Sequence, residues 1–259
     1  MNRKPAVAGS FYPAQPQILQ DMLNGFIKQA DHGDKAPKAM IVPHAGYIYS
    51  GPVAASAYAR LQTVRNKITR VVLLGPSHRV AFQGLALSSA DYFSTPLGDI
   101  ELDKPTMESL LSLPFVGYLE QAHVAEHSLE VHLPFLQVML ADFKLIPLVA
   151  GQASPEQVCQ ALEMLWDAEG TLIVISSDLS HYHDYATAQR WDRQTSDRIE
   201  RLQYQDISSE NACGKVPVNG LLKLLAQKSL SIKTIDLRNS GDTAGDRQRV
   251  VGYGAYVVE

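Results

Sequence analysis

The sequence predicts an α/β fold: a largely parallel sheet with helices on both faces, in one layered domain over residues 1–259. Three apolar runs predict it. They are Ala39-Met40-Ile41-Val42 before Pro43-His44, Val71-Val72-Leu73-Leu74 before Gly75-Pro76-Ser77-His78, and Leu172-Ile173-Val174-Ile175 before Ser176-Ser177-Asp178. Apolar runs without alternation are the pattern of strands buried on both faces. Proline cannot donate to a ladder and glycine permits a sharp turn, so the first two runs stop where these residues stand. Segments of helical spacing alternate with the strands, which is the second observation. Ligands of open α/β sheets bind in the crevice beyond the carboxyl ends of the strands. If the three runs are parallel neighbours, His44, His78, Asp178 and His181 meet there.

The elements follow in order. Val7–Pro13 is too apolar for a disordered tail. Pro16 to Ala30 places Ile18, Leu19, Met22, Leu23, Phe26 and Ile27 on one helical face. A helix from Pro52 to Leu61 would hold Pro52 near its start, where a missing N–H is harmless. Gly84 to Ser88 reads as a strand, Asp91 to Asp103 as a long loop or a hairpin, and Pro105 to Leu113 as a short helix. Lys144 to Val149 is a strand whose Pro147 predicts an edge or a bulge. Ser154-Pro155-Glu156-Gln157 has the cap, the early proline and the third-position glutamine of a helix start. Ala186–Leu202 and Pro217–Ala226 read as helices, and Ile232–Leu237 and Val250–Val258 as strands. Gly252-Tyr253-Gly254 within the last strand reads as a bulge rather than a phosphate cradle.

Composition excludes several functions. A formal net charge of −4 and the absence of a Lys/Arg block give no affinity for nucleic acid. No apolar run approaches the roughly 20 residues of a membrane helix, and no apolar signal core follows the basic first residues. Two cysteines make no disulfide framework and suit a reducing compartment, so a cytoplasmic protein is expected. Glycine-rich nucleotide loops and the G-x-S-x-G elbow are missing.

Chemistry concentrates in four places. His44 and His78 each follow a strand stop, and imidazole is the commonest side-chain metal ligand. Asp178 and His181 share one short segment, a carboxylate beside a proton carrier; His183 is expected to point elsewhere. Cys213 precedes a predicted helix, whose N-terminus lowers a thiol pKa and favours the thiolate, a soft ligand. Cys159 lies on an apolar helical face and reads as core. The rival is His123-Val124-Ala125-Glu126-His127, which spells H-x-x-E-H. On a helix it would place His123 and His127 on one Zn²⁺ with Glu126 as base, a zinc peptidase site.

Taken together, Ala8-Gly9-Ser10-Phe11-Tyr12-Pro13, Pro43-His44-Ala45-Gly46-Tyr47, Ser50-Gly51, Gly75-Pro76-Ser77-His78, Glu126-His127-Ser128-Leu129-Glu130, Leu133-Pro134, Ser177-Asp178-Leu179-Ser180-His181 and Cys213-Gly214 resemble the Memo family. That family includes the AmmeMemoRadiSam system protein B members. The resemblance implies a fold like the class III non-haem iron extradiol dioxygenases. Carried over residue by residue, His44 and His78 match the histidine ligands, Cys213 stands in place of the glutamate ligand, and His181 matches the acid/base histidine with Asp178 beside it. Tyr47, Ser77 and His127 are expected to contact substrate. The implied cofactor is a transition metal, iron or copper first and zinc next. Thiolate for carboxylate softens the site and shifts it from Fe(II) toward copper or zinc. The implied function is a metal-dependent redox enzyme that uses oxygen, with a link to a radical-SAM protein. The alternative is a vestigial fold serving as metal carrier or as a protein- or peptide-binding module.

Overall fold

The structure is a computed structural model describing residues 1–259. Its strands are β1 (Asn2–Arg3), β2 (Ala39–Val42), β3 (Arg70–Pro76), β4 (Leu85–Leu87), β5 (Tyr92–Thr95), β6 (Gly98–Glu101), β7 (Val116–Tyr118), β8 (Lys144–Ala150), β9 (Thr171–Ser176), β10 (His181–His183), β11 (Lys233–Asn239) and β12 (Val250–Val258). Its helices are α1 (Pro16–Gln29), α2 (Tyr47–Tyr58), α3 (Lys104–Leu110), α4 (Gln121–Val124), α5 (Leu133–Met139), α6 (Pro155–Trp166), α7 (Tyr185–Glu200) and α8 (Lys215–Gln227).

The main sheet has the order β10-β12-β2-β9-β3-β8-β4-β7, with β11 also paired to β12. Its centre, β2-β9-β3-β8, is parallel throughout. Antiparallel partners flank it, β12 on one side and β4 on the other. A small sheet β1-β5-β6 stands apart. The three apolar runs are therefore adjacent, with β9 between β2 and β3. Register sets Val42 beside Ser176 and Leu74 beside Ile175, so all three carboxyl ends reach one rim.

Helices cover both faces. On one, α1, α2 and α5 pack together, with α2 against β2 and β12; on the other, α6 and α8 pack together over β9 and β3. α7 lies against β11 and β12. β2 and β9 are buried at every position, which accounts for their unbroken apolar sequence. One connected cluster of 66 buried apolar residues runs through the layers. The start of α6 is the capping box read from the sequence: Ser154 accepts from the Gln157 N–H, and the Gln157 side chain accepts from the Ser154 N–H.

Four local readings need correction or refinement. Asp91–Asp103 is a hairpin, β5 and β6 pairing antiparallel around Pro96-Leu97. β8 is an interior strand with unbroken register to β3, not an edge or a bulge. Pro147 fits because the β4 ladder ends at Leu148, while the next contact on that side is the Asp103 N–H to the Leu145 carbonyl. The missing N–H faces that gap. α2 begins five residues before Pro52, which lies inside it. The Pro52 ring leaves only the carbonyl of the exposed Ile48 without its helical donor, a group water can serve. Gly252–Gly254 pairs regularly with β11 and is no bulge. Gly252 is there for space: a Cβ would lie 2.0 Å from Asp192 Oδ2.

Candidate metal centre

Each strand end delivers its polar groups to the same rim. His44 follows β2, His78 follows β3, and Ser176–Asp178 ends β9 between them. Cys213 arrives from the turn before α8, the helix packed on β3 and β9. Gly214 is needed for that approach, since a Cβ would meet the Ser176 carbonyl oxygen at 2.4 Å. One ligand atom from each of His44, His78 and Cys213 lies within 4.8 Å of the others. Cys213 Sγ stands 3.3 Å from His44 Nε2. Ligands of one ion with bonds of about 2.0–2.3 Å at tetrahedral angles stand close to that far apart, so the donor set fits a transition metal.

Backbone and side-chain hydrogen bonds hold the three donors. Asp178 Oδ1 accepts the His44 N–H at 2.7 Å, and the Asp178 N–H points at Cys213 Sγ at 3.3 Å. Glu126 accepts the His78 N–H on Oε2 at 2.6 Å and faces His78 Nδ1 with Oε1 at 2.8 Å. Oε1 also accepts the N–H groups of His127 and Ser128. Burial pushes the Glu126 carboxyl up, but the His78 hydrogen bonds and charge and the backbone N–H groups outweigh it and hold it at about 2. The carboxylate thus accepts a hydrogen bond from His78 Nδ1–H and leaves Nε2 for a ligand, the carboxylate–histidine arrangement of metal sites.

Burial, reinforced by the neighbouring imidazoles, holds His44 well below the ordinary histidine range, so it is neutral. Burial and the Asp178 charge push the Cys213 thiol up, the reverse of the helix-terminus expectation. The helix begins only at Lys215, beyond the cap Gly214, and desolvation outweighs its dipole. Without a cation nearby the sulfur keeps its proton. Burial likewise raises Asp178.

His44 and His78 form part of the wall of an open cavity of about 650 Å³. Asp178, His181 and His127 also line it, with Phe11, Tyr49 and Tyr253 supplying apolar wall and Arg79 and Arg249 supplying charge. β10 explains why His181 faces inward. Tyr182 is an extra residue at φ 65°, and the register shifts across it. A bulge of this kind re-aims its neighbours. His183 turns away to Trp191, at 5.6 Å between ring centres. His127 stacks on His78 at 4.7 Å and packs on Phe11 at 4.8 Å.

Three sequence readings fail. Tyr47 does not line the cavity: it is 2 % exposed, and its hydroxyl donates to the Val131 carbonyl. Ser77 is absent from the wall as well, its hydroxyl closing a local turn on the Val80 carbonyl. The H-x-x-E-H segment is not a zinc-peptidase helix. α4 ends at Val124, so His123 and His127 do not share a helical face. His123 is buried against Phe93, with Nε2 at 3.0 Å from the Ala86 carbonyl. His78, Glu126 and His127 form a second close group, but both Glu126 oxygens are already occupied by N–H donors. Missing from the sequence reading were Ser176, Ser128 and His132 behind the cluster and the 240–249 loop across the cavity. No ligand or catalytic pattern singles them out; only the tertiary fold brings them in.

His123 also gives a pH dependence. Burial holds it at about 4, well under its unfolded value. Between about pH 6.5 and 4 the unfolded chain binds a proton that the folded chain refuses, so stability falls as pH falls through that window, by about 3 kcal/mol in all. Urea unfolding at pH 7 and pH 4.5 should show a smaller loss in His123→Gln than in the parent.

Fold and site together define an α/β protein with a two-histidine, one-cysteine candidate metal centre where the chain turns back to insert β9 between β2 and β3. The Memo-like protein family model matches residues 3–257, and the chain belongs to the Memo family. It is 38% identical to a MEMO1 family protein of Aquifex aeolicus, over 97% of each chain. A MEMO1 family protein of Methanosarcina barkeri is 35% identical over 99% of this chain and 100% of its own. Among solved structures, the uncharacterized protein JW3007 of Escherichia coli K12 superposes with a TM-score of 0.55 at 14% identity, covering 85% of this chain and 98% of that one. That likeness concerns the fold alone. No helix is long and apolar enough to cross a membrane.

Proposed function

We propose that the protein binds one transition-metal ion through His44, His78 and Cys213 and acts as a metal-dependent enzyme on a small molecule held in the adjoining cavity. The observation that carries this reading is the convergence of three ligand atoms within 4.8 Å from three separate parts of the chain. The hydrogen bond of His78 to Glu126 supports it by leaving the free nitrogen toward the cluster. Two imidazoles and a thiolate suit copper or zinc over a hard cation, and iron remains the metal of the resembling dioxygenases. When bound, such an ion supplies Lewis acidity or redox chemistry to a ligand at an open position.

The chain's own residues supply the rest. Asp178 holds the His44 backbone and, with Oδ1 so engaged, fixes the loop that carries the ligand. His181, on the cavity wall near Asp178, moves a proton to or from the bound molecule. His127, stacked on His78, contacts that molecule. A metal carrier or docking module is the second reading, favoured by the exposed Tyr49 and Tyr182 at the mouth.

Co(II) titration of metal-free protein tests the site. One equivalent should bind and give the near-ultraviolet sulfur-to-cobalt band of a thiolate ligand. Binding without that band would remove Cys213 from the ligand set.

A further inference from the structure

Behind the cluster lies a buried hydrogen-bond chain that the proposed chemistry does not use. Ser176 Oγ touches three groups: the Ser128 carbonyl oxygen at 2.6 Å, His44 Nδ1 at 2.6 Å and His132 Nε2 at 2.9 Å. A hydroxyl has one hydrogen and two lone pairs, and a carbonyl oxygen only accepts. The Ser176 hydrogen therefore goes to Ser128. Both imidazoles must donate to the lone pairs that remain. His44 then carries its proton on Nδ1, and Nε2, the atom 3.3 Å from Cys213 Sγ, is bare. His132 carries its proton on Nε2, so its Nδ1 accepts from the Tyr58 hydroxyl at 2.9 Å. Every atom has a role it can fill, with no donor facing a donor. His44 is 2 % exposed, His132 1 %, and Ser176 and Tyr58 are fully enclosed, so water offers no alternative partner.

We propose that Ser176, His132 and Tyr58 are positioning residues that lock His44 in its Nδ1-protonated tautomer and so keep Nε2 open toward Cys213. The functional value of this lock rests on the reading of His44 as a ligand; the lock itself does not. The tautomer of an imidazole is set by what its other nitrogen bonds. His78 has a carboxylate for this purpose, Glu126, whereas His44 has a neutral hydroxyl. His132 keeps the arrangement in place. By occupying one lone pair, it stops the hydroxyl from swinging its hydrogen away from Ser128 and onto His44.

Nitrogen-15 spectra of the histidine rings in metal-free protein read each tautomer directly, with assignments from His44→Asn and His132→Asn. The expected result is Nδ1–H for His44 and Nε2–H for His132. A folded protein showing Nε2–H at His44 overturns the inference, whether or not it binds metal. If His44 shows Nδ1–H but the protein takes up no Co(II), the lock stands and the metal reading falls. Ser176→Ala should release His44 to the other tautomer and weaken Co(II) binding, measured against a competing chelator, by about 10–100-fold. His132→Gln, whose amide can donate to Ser176 and accept from Tyr58, should stay near the parent affinity, while His132→Leu should not. Nδ1–H kept at His44 in Ser176→Ala would overturn the lock, and equal affinities in Ser176→Ala, His132→Leu and the parent would overturn its effect on the metal site. Should either variant fail to fold, the parent spectrum still decides.

Discussion

His44→Ala and Cys213→Ser are each expected to lose stoichiometric metal, with affinity falling by more than the 10–100-fold that follows loss of an outer hydrogen-bond partner. The reason is geometric. Three donors converge from β2, β3 and the turn before α8, and among His, Cys, Asp and Glu no other group joins all three within the same distance. Asp178 cannot take the place of a lost imidazole, because its Oδ1 is bound to the His44 N–H and burial favours its neutral form. Serine at 213 would keep the shape but offer a hard, weakly acidic oxygen where the thiolate was. His123→Gln serves as the control. Its ring is turned to the Ala86 carbonyl and away from the cluster, so it should lose stability and keep one equivalent of metal. Elemental analysis of protein purified without added metal or chelator, followed by Co(II) titration, reads all three variants. Full metal content in His44→Ala would dismiss the cluster. Loss in His123→Gln with the fold intact would revive the H-x-x-E-H segment.

The sheet was legible because burial on both faces leaves its mark on composition. β2, β3 and β9 are apolar without alternation, and each stops where its sequence carries proline, glycine or serine. Adjacency follows less directly, yet three strands of the same kind ending in polar residues pointed to one rim. What stayed hidden was lateral position. Pro147 reads as an edge signal because a lone sequence cannot show that β4 stops one residue short of it. Tyr47 and Ser77 follow or precede site histidines by one to three residues, but chain proximity is not orientation. Tyr47 opens a helix that turns its ring inward, and Ser77 folds back on Val80. The H-x-x-E-H pattern misled for a related reason: five residues specify chemistry only if they are helical, and here the helix ends at Val124. Ser176 and His132 were illegible because their importance is a matter of hydrogen counting, which needs coordinates. The Cys213 pKa was misjudged because the dipole is visible in a sequence pattern whereas desolvation is not.

Glu130→Ala should destabilise the metal-free protein by about 3–5 kcal/mol, the penalty for leaving one member of a buried ion pair unmatched. Glu130 is fully enclosed and accepts four donors: Arg3 Nη1 at 2.6 Å, the Ala6 N–H at 2.7 Å, the Val7 N–H at 2.9 Å and the Tyr12 hydroxyl at 2.6 Å. Burial, and after it the Glu130 charge, raises the Tyr12 phenol, so that hydroxyl remains a donor at every ordinary pH. Arg3 in turn donates to the carbonyls of His123 and Glu126 and lies over Phe93. Truncation at 130 would strand the guanidinium, two backbone N–H groups and a phenol at once. The damage should travel, because the first dozen residues are tied through this pair to the segment that orients His78 and carries His127. Metal affinity in Glu130→Ala should therefore drop even though residue 130 touches no ligand. Replacing both partners, Arg3→Met with Glu130→Leu, removes the stranded charge and should recover part of the loss, as paired replacements of buried ions do. Urea unfolding of the three variants measures the first effect and chelator competition the second. A loss under about 1 kcal/mol in Glu130→Ala would place the pair in the class of solvated surface bridges, and the N-terminal clamp on the site would then have to be abandoned.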